Sequence, residues 1–468
     1  MSNNKTLSRG LKNRHVQLIA LGGAVGTGLF LGTASTIKMA GPSVILAYLI
    51  GGIIAFLIMR QLGEMMAQEP VAGSFSNLAH KYWGDFPGFL SGWNYWILYI
   101  LVSMSELTAC AVYVQHWFPG IAQWQSITFF FLLVTFINLT AVRIYGETEF
   151  WFSIIKVSAI IGMILFGTYI LISGSAGPTS QVSNLWAHGG FFPHGAGGLL
   201  TSLAILTFSF GGLELVGIAA AETDNPAKTI PKAINQVLIR ILIFYVGALT
   251  VLLALYPWDQ IGIVAQNVPW EESMAASPFV KIFSNIGIPA AANILNFVVL
   301  TAALSVYNSG VYCNSRMLYG LALQANAPKV FTQLNARGVP VWAILLSSAA
   351  TMICIALNVI MPEKALSILV SLVVASLVIN WALICLTHLK FRLANNRMGT
   401  KLIFKSLFFP FSNIICLLFI ACIFVILWTT GQETVVIVTP IWLLFVAAGY
   451  GVKRFILFAS GKDEDGVA

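Results

Sequence analysis

Apolar runs of about twenty residues recur twelve times along this chain, and that recurrence leaves few folds open to it. A helix crossing the ~30 Å hydrocarbon core of a bilayer needs about 20 predominantly apolar residues. Windows of that length place spans at 16–37, 43–66, 85–114, 124–142, 149–173, 197–222, 233–256, 286–319, 340–358, 363–388, 407–429 and 435–458. Of 468 residues, 58% are hydrophobic and 9% charged, against about 25% charged in a soluble domain. No soluble core could hide that much apolar surface. The expected fold is an all-α polytopic membrane protein of about 12 transmembrane helices.

The basic residues set an orientation. With the tail 1–15 in the cytoplasm and the spans alternating, 21 of the 25 Lys and Arg residues, Arg240 and Arg316 among them, fall on the cytoplasmic side. Only Lys38, Lys281 and Lys364 fall on the other, and Lys156 lies within a span. This split follows the positive-inside rule. It puts both termini, including the tail 459–468, in the cytoplasm. The net charge of +8 is spread over loops, not gathered into the basic face that a nucleic-acid partner would need. The first run lacks an A-x-A cleavage pattern and reads as a retained helix. The outside stretch 257–285 contains ASPFVKIFSNIG, which reads either as an amphipathic segment across a vestibule or as a solvated loop.

Six cysteines, Cys110, Cys313, Cys354, Cys385, Cys416 and Cys422, lie in apolar segments without C-x-x-C spacing and read as reduced core residues. The six histidines sit at loop or span ends. With no metal-ligand cluster, nucleophile elbow or Walker-type loop in the sequence, neither an enzyme nor a bound metal or cofactor is expected.

Two spans are interrupted by glycine. The first carries Gly22, Gly23, Gly26 and Gly28 within seven residues, and the sixth carries Gly211 and Gly212 at its centre. One small-xxx-small pair is ordinary helix packing, but four clustered glycines point to unwound backbone. Unwound backbone is tolerated in a bilayer only where it lines a polar cavity. Half-helix N-termini suit a carboxylate and freed carbonyls suit an ammonium group, so the pair suits an amino-acid zwitterion. The two broken spans occupy corresponding positions if helices 1–5 (16–173) and 6–10 (197–388) form two inverted five-helix repeats, with 407–458 added as helices 11 and 12.

Ionisable residues inside spans are functional candidates by default. Lys156 either exchanges a proton in a transport cycle or is held in a fixed salt bridge. Glu106 either carries a proton, lines a side-chain pocket or pairs permanently. Glu214, just after the second break, either binds a proton or caps freed N–H groups. Glu222 and Asp224, in AAAETDNP, read as a helix stop or as gating contacts. Tyr307, Asn308 and Ser309 in the eighth span and Asn380 in the tenth either reach the cavity or hydrogen-bond between helices.

Several strings carry a resemblance along nearly the whole chain: RGLKNRHVQLIALGGAVGTGLFLG, AGPSVILAYLIGGIIAFLIMRQLGEM, PVAGSFSNLAHKYWG, GFLSGWNYW, FSFGGLELVGIAAAETDNPAKTIPKAINQV and LSVYNSGVYCNSRMLYGLA. With them the chain resembles the amino acid–polyamine–organocation superfamily, and within it the bacterial amino-acid permeases. GGFFPHG, GETEFWFSIIKV and LALYPW look most like the aromatic amino-acid permeases, although the stretch 262–277 is longer than in those carriers. The resemblance implies import of Phe, Tyr or Trp by proton symport with alternating access. The setting is the bacterial inner membrane, with the proton as coupling ion, lipid as surroundings and a monomer as the working unit. It implies that backbone from Ala24 through Val25, Gly26 and Thr27 to Gly28 holds the substrate carboxylate. Carbonyls near Phe208, Ser209 and Gly211 would hold the amine. Phe208 or Phe210 would gate or stack on the side chain, and Glu106 would lie by the side-chain pocket. Lys156 would take part in proton coupling. A permease for proline, histidine or γ-aminobutyrate, or an exchanger without proton coupling, remains the alternative. A channel would need a continuous polar pore, which paired broken helices do not suggest.

Overall fold

The computed structural model describes residues 14, 15, 17, 18, 25–140, 142–223, 225–261, 277–429 and 433–459. Ala24, Gly22, Gly23, Asp224 and the stretch 262–276 lie outside the described residues. Among those described, every regular element is a helix: α1 (Thr27–Phe30), α2 (Gly32–Ala40), α3 (Val44–Gln68), α4 (Ser74–Trp83), α5 (Asp85–Gln115), α6 (Gln123–Asn138), α7 (Val142–Ser173), α8 (Gly195–Leu206), α9 (Leu215–Ala219), α10 (Pro226–Arg240), α11 (Ala248–Leu255), α12 (Pro278–Asn285), α13 (Pro289–Leu323), α14 (Val341–Thr351), α15 (Ile353–Ile360), α16 (Ala365–Arg397), α17 (Phe411–Thr429) and α18 (Glu433–Ala459), with short 3₁₀, π and single-turn pieces between them.

Ten segments of the described chain are long and apolar enough to cross a membrane. The first of them, Thr27–Gln68, is two crossings. Gly41 takes φ +56 and Pro42 follows it. A straight helix would hold Gly28 and Tyr48 about 30 Å apart, yet both hydrogen-bond the side chain of Ser209, so the chain doubles back at Gly41. The sixteen-residue α6 is the counterpart of the fourth expected span. The chain is therefore a multi-pass, all-helical membrane protein.

Several edges differ from the hydropathy windows, and two differences matter. The fifth span starts at Val142, seven residues earlier than its apolar run, because VRIYGETE continues the helix despite its charges. The seventh runs from Pro226 to Leu255, through a π-helical turn at Ile241–Gly247. This carries Arg240, which the loop count placed in a cytoplasmic segment, into the protein at 1% exposure. α4 is an unexpected amphipathic helix between spans. It is anchored by Lys81 on Glu69 at 2.6 Å, and this hydrogen bond holds the Lys81 ammonium above its usual value. The ASPFVKIFSNIG stretch forms α12 and packs inward, with Phe279 edge-on to Phe30 at 5.1 Å. Of the cysteines expected in the core, Cys422 is instead exposed on α17 and the other five are buried.

The centre is the pair α5 and α13, with α16 beside them. α13 is buried almost all round from Val298 to Ala322 because its small residues permit close approach: a Cβ on Gly310 would meet Ser103 Oγ at 2.7 Å. α17 and α18 are peripheral, with Leu418, Leu444, Phe445 and Phe455 exposed where lipid would lie.

A polar cluster ties α3 to α16. Glu64, fully buried, accepts hydrogen bonds from Arg392 Nη1 at 2.5 Å and from the Ser406 amide at 2.5 Å, with His388 Nε2 at 3.4 Å. Removing one partner of a buried pair costs about 3–5 kcal/mol because the other charge is stranded. Arg392→Ala should therefore lower the thermal midpoint of detergent-purified protein by several degrees, and Glu64→Gln combined with it should recover part of the loss. A scanning-fluorimetry midpoint unchanged in Arg392→Ala would show that the cluster contributes nothing.

Candidate functional site

The first break leaves Gly26 in an extended conformation (φ −136, ψ −150), and helix begins only at Thr27. The second is a 3₁₀ turn, Thr207–Phe210, followed by Gly211 at ψ 141 and Gly212 at φ +93, before α9 begins at Leu215. A positive φ of that size is why glycine stands at 212. The two breaks face each other. Gly26, Gly28, Phe208, Gly211 and Gly212 line a narrow cavity of about 20 Å³, completed by Tyr99, Val102 and Glu106 of α5, Val306 of α13 and Val373 of α16.

Glu106 caps the first break. Its Oε1 accepts from Thr27 Oγ1 at 2.9 Å and lies 3.4 Å from the Thr27 amide, which satisfies a donor at the start of the half-helix. Its Oε2 is buried with no hydrogen-bond partner and belongs to the cavity wall. Across the cavity, Tyr99 Oη donates to Glu214 Oε1 at 3.3 Å, and Glu214 is fully buried.

Ser209 stitches several segments together. Its Oγ donates to the Gly28 carbonyl at 2.6 Å and so accepts from Tyr48 Oη at 2.9 Å. Its carbonyl accepts from Tyr245 Oη at 2.8 Å, and Arg240 Nη2 donates to that same tyrosine oxygen at 3.1 Å. Sequence reasoning missed Tyr48, Tyr99 and Tyr245, since a tyrosine in an apolar span carries little hydropathy signal.

Not every candidate reaches the cavity. Phe210 turns into the packing of Tyr48 (5.9 Å) and Tyr245 (5.2 Å), leaving Phe208 and Tyr99 as the aromatic walls. Tyr307 is buried toward Thr135 and Cys354, and Asn308 accepts from Asn138 Nδ2 at 2.8 Å. Both α13 residues thus face the α6 side rather than the cavity. Val25 and Thr27 are buried beside Gly26. Asn380 is buried with neither amide atom hydrogen-bonded.

Lys156 is fully buried in a second polar cluster. Its Nζ donates to Ser305 Oγ at 2.8 Å and stands 3.8 Å from Glu149 Oε1. Glu149, which the sequence reading left at a span edge, is also fully buried. Its seven-residue spacing from Lys156, two helical turns, is the signal that could have found it. Glu222 is fully buried at the far end, accepting from Tyr312 Oη at 2.9 Å and Arg316 Nε at 3.0 Å.

Two interrupted helices that face each other across a narrow internal cavity fit a membrane carrier for a small molecule. The chain belongs to the amino acid permease family, whose model matches residues 15–459. It is 58% identical over 449 residues to a protein of Salmonella typhimurium (strain SL1344) named "Aromatic amino acid transport protein AroP", covering 96% of each chain. The Escherichia coli (strain K12) protein of the same name is 57% identical over the same share. A Bacillus subtilis (strain 168) protein named "Uncharacterized amino acid permease YtnA" is 43% identical, again over 96% of each. The substrate is accordingly an amino acid, and the protein is a transporter rather than an enzyme.

Proposed function

We propose that this chain imports aromatic amino acids by proton symport, alternating access between the two sides of the bacterial inner membrane with both termini in the cytoplasm. The observation that carries the proposal is 57–58% identity, over 96% of both chains, to proteins named as aromatic amino acid transporters. The cavity chemistry supports it. Backbone at Val25–Gly28 would take the substrate carboxylate, and carbonyls near Phe208, Ser209 and Gly211 the ammonium group. The ring would lie against Phe208, with Tyr99 and Glu106 beside it. Segments 16–173 and 197–388 would act as the two inverted repeats, and Lys156 and Glu106, with Glu214 beside the second break, would supply the coupling groups. The test is uptake of radiolabelled phenylalanine into proteoliposomes under an inside-alkaline gradient, with Tyr, Trp, Pro, His, Lys and γ-aminobutyrate as competitors. Competition by proline, histidine or γ-aminobutyrate instead of Tyr and Trp would overturn the aromatic assignment.

A second reading has its own observation. Lys156 and Glu149 form a wholly buried ion pair, which in an exchanger would be a fixed pin. Transport that ignores the gradient and requires amino acid on the far side would establish that reading.

Glu222, Tyr312 and Arg316 would form the cytoplasmic gate. Arg316→Ala strands a buried carboxylate at about 3–5 kcal/mol, a penalty paid only while the gate is shut. Efflux of preloaded phenylalanine without a gradient should then rise by roughly tenfold or more, 1.4 kcal/mol being tenfold in population. Efflux at the wild-type rate from folded Arg316→Ala would rule the gate out.

A further inference from the structure

Glu149 is a fully buried carboxylate seven residues before Lys156. Glu149 and Lys156 lie two turns apart on one face of α7, and Glu149 is nearer the helix start by about 10 Å. That start lies at the end where Arg14 of the N-terminal segment pairs with Glu147 at 2.5 Å, which is the cytoplasmic end in the orientation proposed above. Between the two side chains stands Ser305 of α13. Lys156 Nζ donates to Ser305 Oγ at 2.8 Å, and Ser305 Oγ donates onward to Glu149 Oε1 at 2.5 Å. The direct N–O separation is longer, 3.8 Å.

A carboxylate placed only to pin a lysine would sit in direct contact with it, because an unsatisfied charge in a buried site is costly. Here the shortest contact runs through a hydroxyl, with the Lys156 ammonium standing back at 3.8 Å from the carboxylate. Both hydrogen bonds point the same way, from ammonium to carboxylate.

We propose that Glu149 receives the proton that Lys156 gives up, with the Ser305 hydroxyl as the bridge, and passes it toward the cytoplasm. This rests on the proton-symport reading above. In the transfer, one N–H bond of the Lys156 ammonium breaks as that proton bonds to Ser305 Oγ. The original Ser305 O–H bond breaks in the same event, and its proton bonds to a Glu149 oxygen. The products are a neutral amine, an intact hydroxyl now able to donate to Nζ, and a neutral carboxylic acid. A buried ion pair becomes a neutral pair, so no net charge is created in the low-dielectric interior. Glu149 then releases the proton and returns to carboxylate, and Lys156 is recharged when the cavity next faces outward.

Polar groups lie beside Glu149 and one turn nearer the helix start. Ser309 and Asn308 face Glu149. Tyr145 Oη lies 3.2 Å from Ser309 Oγ, and the Tyr145 ring stacks on Tyr312 at 4.1 Å. The other charges facing this cluster are Arg240 and Glu106 toward Lys156, and Arg316 toward Tyr145.

The test compares wild type, Glu149→Gln, Ser305→Ala and Ser305→Thr in proteoliposomes. Three quantities are read: gradient-driven phenylalanine accumulation, counterflow, and acidification of a trapped pH dye when substrate enters. A 100 mV force supports about fifty-fold accumulation, so Glu149→Gln and Ser305→Ala should lower the accumulation-to-counterflow ratio toward about one-fiftieth. They should also abolish substrate-linked acidification. Ser305→Thr, which keeps the hydroxyl, should restore both. Accumulation and acidification at wild-type levels in either variant overturn the relay. So does a proportional fall of accumulation and counterflow together, which marks a purely structural residue. Should Glu149→Gln fail to fold, the Ser305→Ala and Ser305→Thr pair decides alone. Absence of gradient-driven uptake in wild type itself would instead defeat the symport reading.

Discussion

Adding a single methyl group at Gly28 is expected to lower kcat/KM for phenylalanine uptake by about a hundredfold, since a displacement near 1 Å in a preorganised site carries that penalty. An alanine Cβ there would stand 2.6 Å from Ser209 Cα, 3.1 Å from Ser209 N and 3.2 Å from the Phe208 carbonyl oxygen. All three are backbone atoms, so no rotamer change relieves the clash and the two broken segments must part. Neighbouring glycines separate this effect from a general loss of helix quality. A Cβ on Gly26 would meet Val306 Cγ2 at 2.7 Å and Glu106 Oε1 at 2.8 Å. Those are side-chain atoms that can swing aside, so Gly26→Ala should fall between Gly28→Ala and wild type. Gly32→Ala meets nothing closer than 3.8 Å, and Gly162→Ala meets nothing within 4 Å. Both should transport like wild type. Initial uptake rates normalised to folded protein give the ranking, and normal uptake by Gly28→Ala would mean the two breaks do not touch during transport.

Lys156→Met should uncouple the carrier. Methionine fills a similar volume without the charge, and Glu149 can take up a proton to avoid being stranded. Wild type held at 100 mV should accumulate substrate about fifty-fold, whereas Lys156→Met should come to rest near equal concentrations on the two sides. Counterflow should fall much less than accumulation does. Acidifying the outside should speed wild-type uptake, because protons are a co-substrate there, and leave the variant's rate flat. Retention of the gradient response in Lys156→Met would move coupling to Glu106 or Glu214 and leave the lysine as a pin.

The sequence made some of this legible and hid the rest for identifiable reasons. Hydropathy found the crossings because a bilayer demands apolar length, and glycine clustering found both breaks because close backbone approach at Gly28 and a positive φ at Gly212 demand glycine. Glu149 escaped because a hydropathy window ends at the first charges, while the helix continues back to Val142. Arg240 falls inside the 233–256 window but counts there as a cytoplasmic charge near a span start; the helix begins earlier, at Pro226, and so carries it into the protein. The sequence leaves Tyr307 and Asn308 open between the cavity and an interhelical contact, and the structure turns both toward the α6 side. α13 is buried on nearly every side, so no periodicity distinguishes its faces.

The hydrogen bonds around Ser209 also bear on where the molecule can bend. Through one residue, the first, second, sixth and seventh crossings are fastened to each other by way of Gly28, Tyr48 and Tyr245. Across the cavity, the first half-helix is held to α5 through the single carboxylate oxygen of Glu106 on Thr27, and the second by the Tyr99–Glu214 contact. Stiffness is therefore unevenly shared. Four crossings form one lever, and the seam against α5 is its weakest line. In the proposed cycle a substrate lodged in that seam would touch both bodies at once, and its binding energy would act directly on the angle between them.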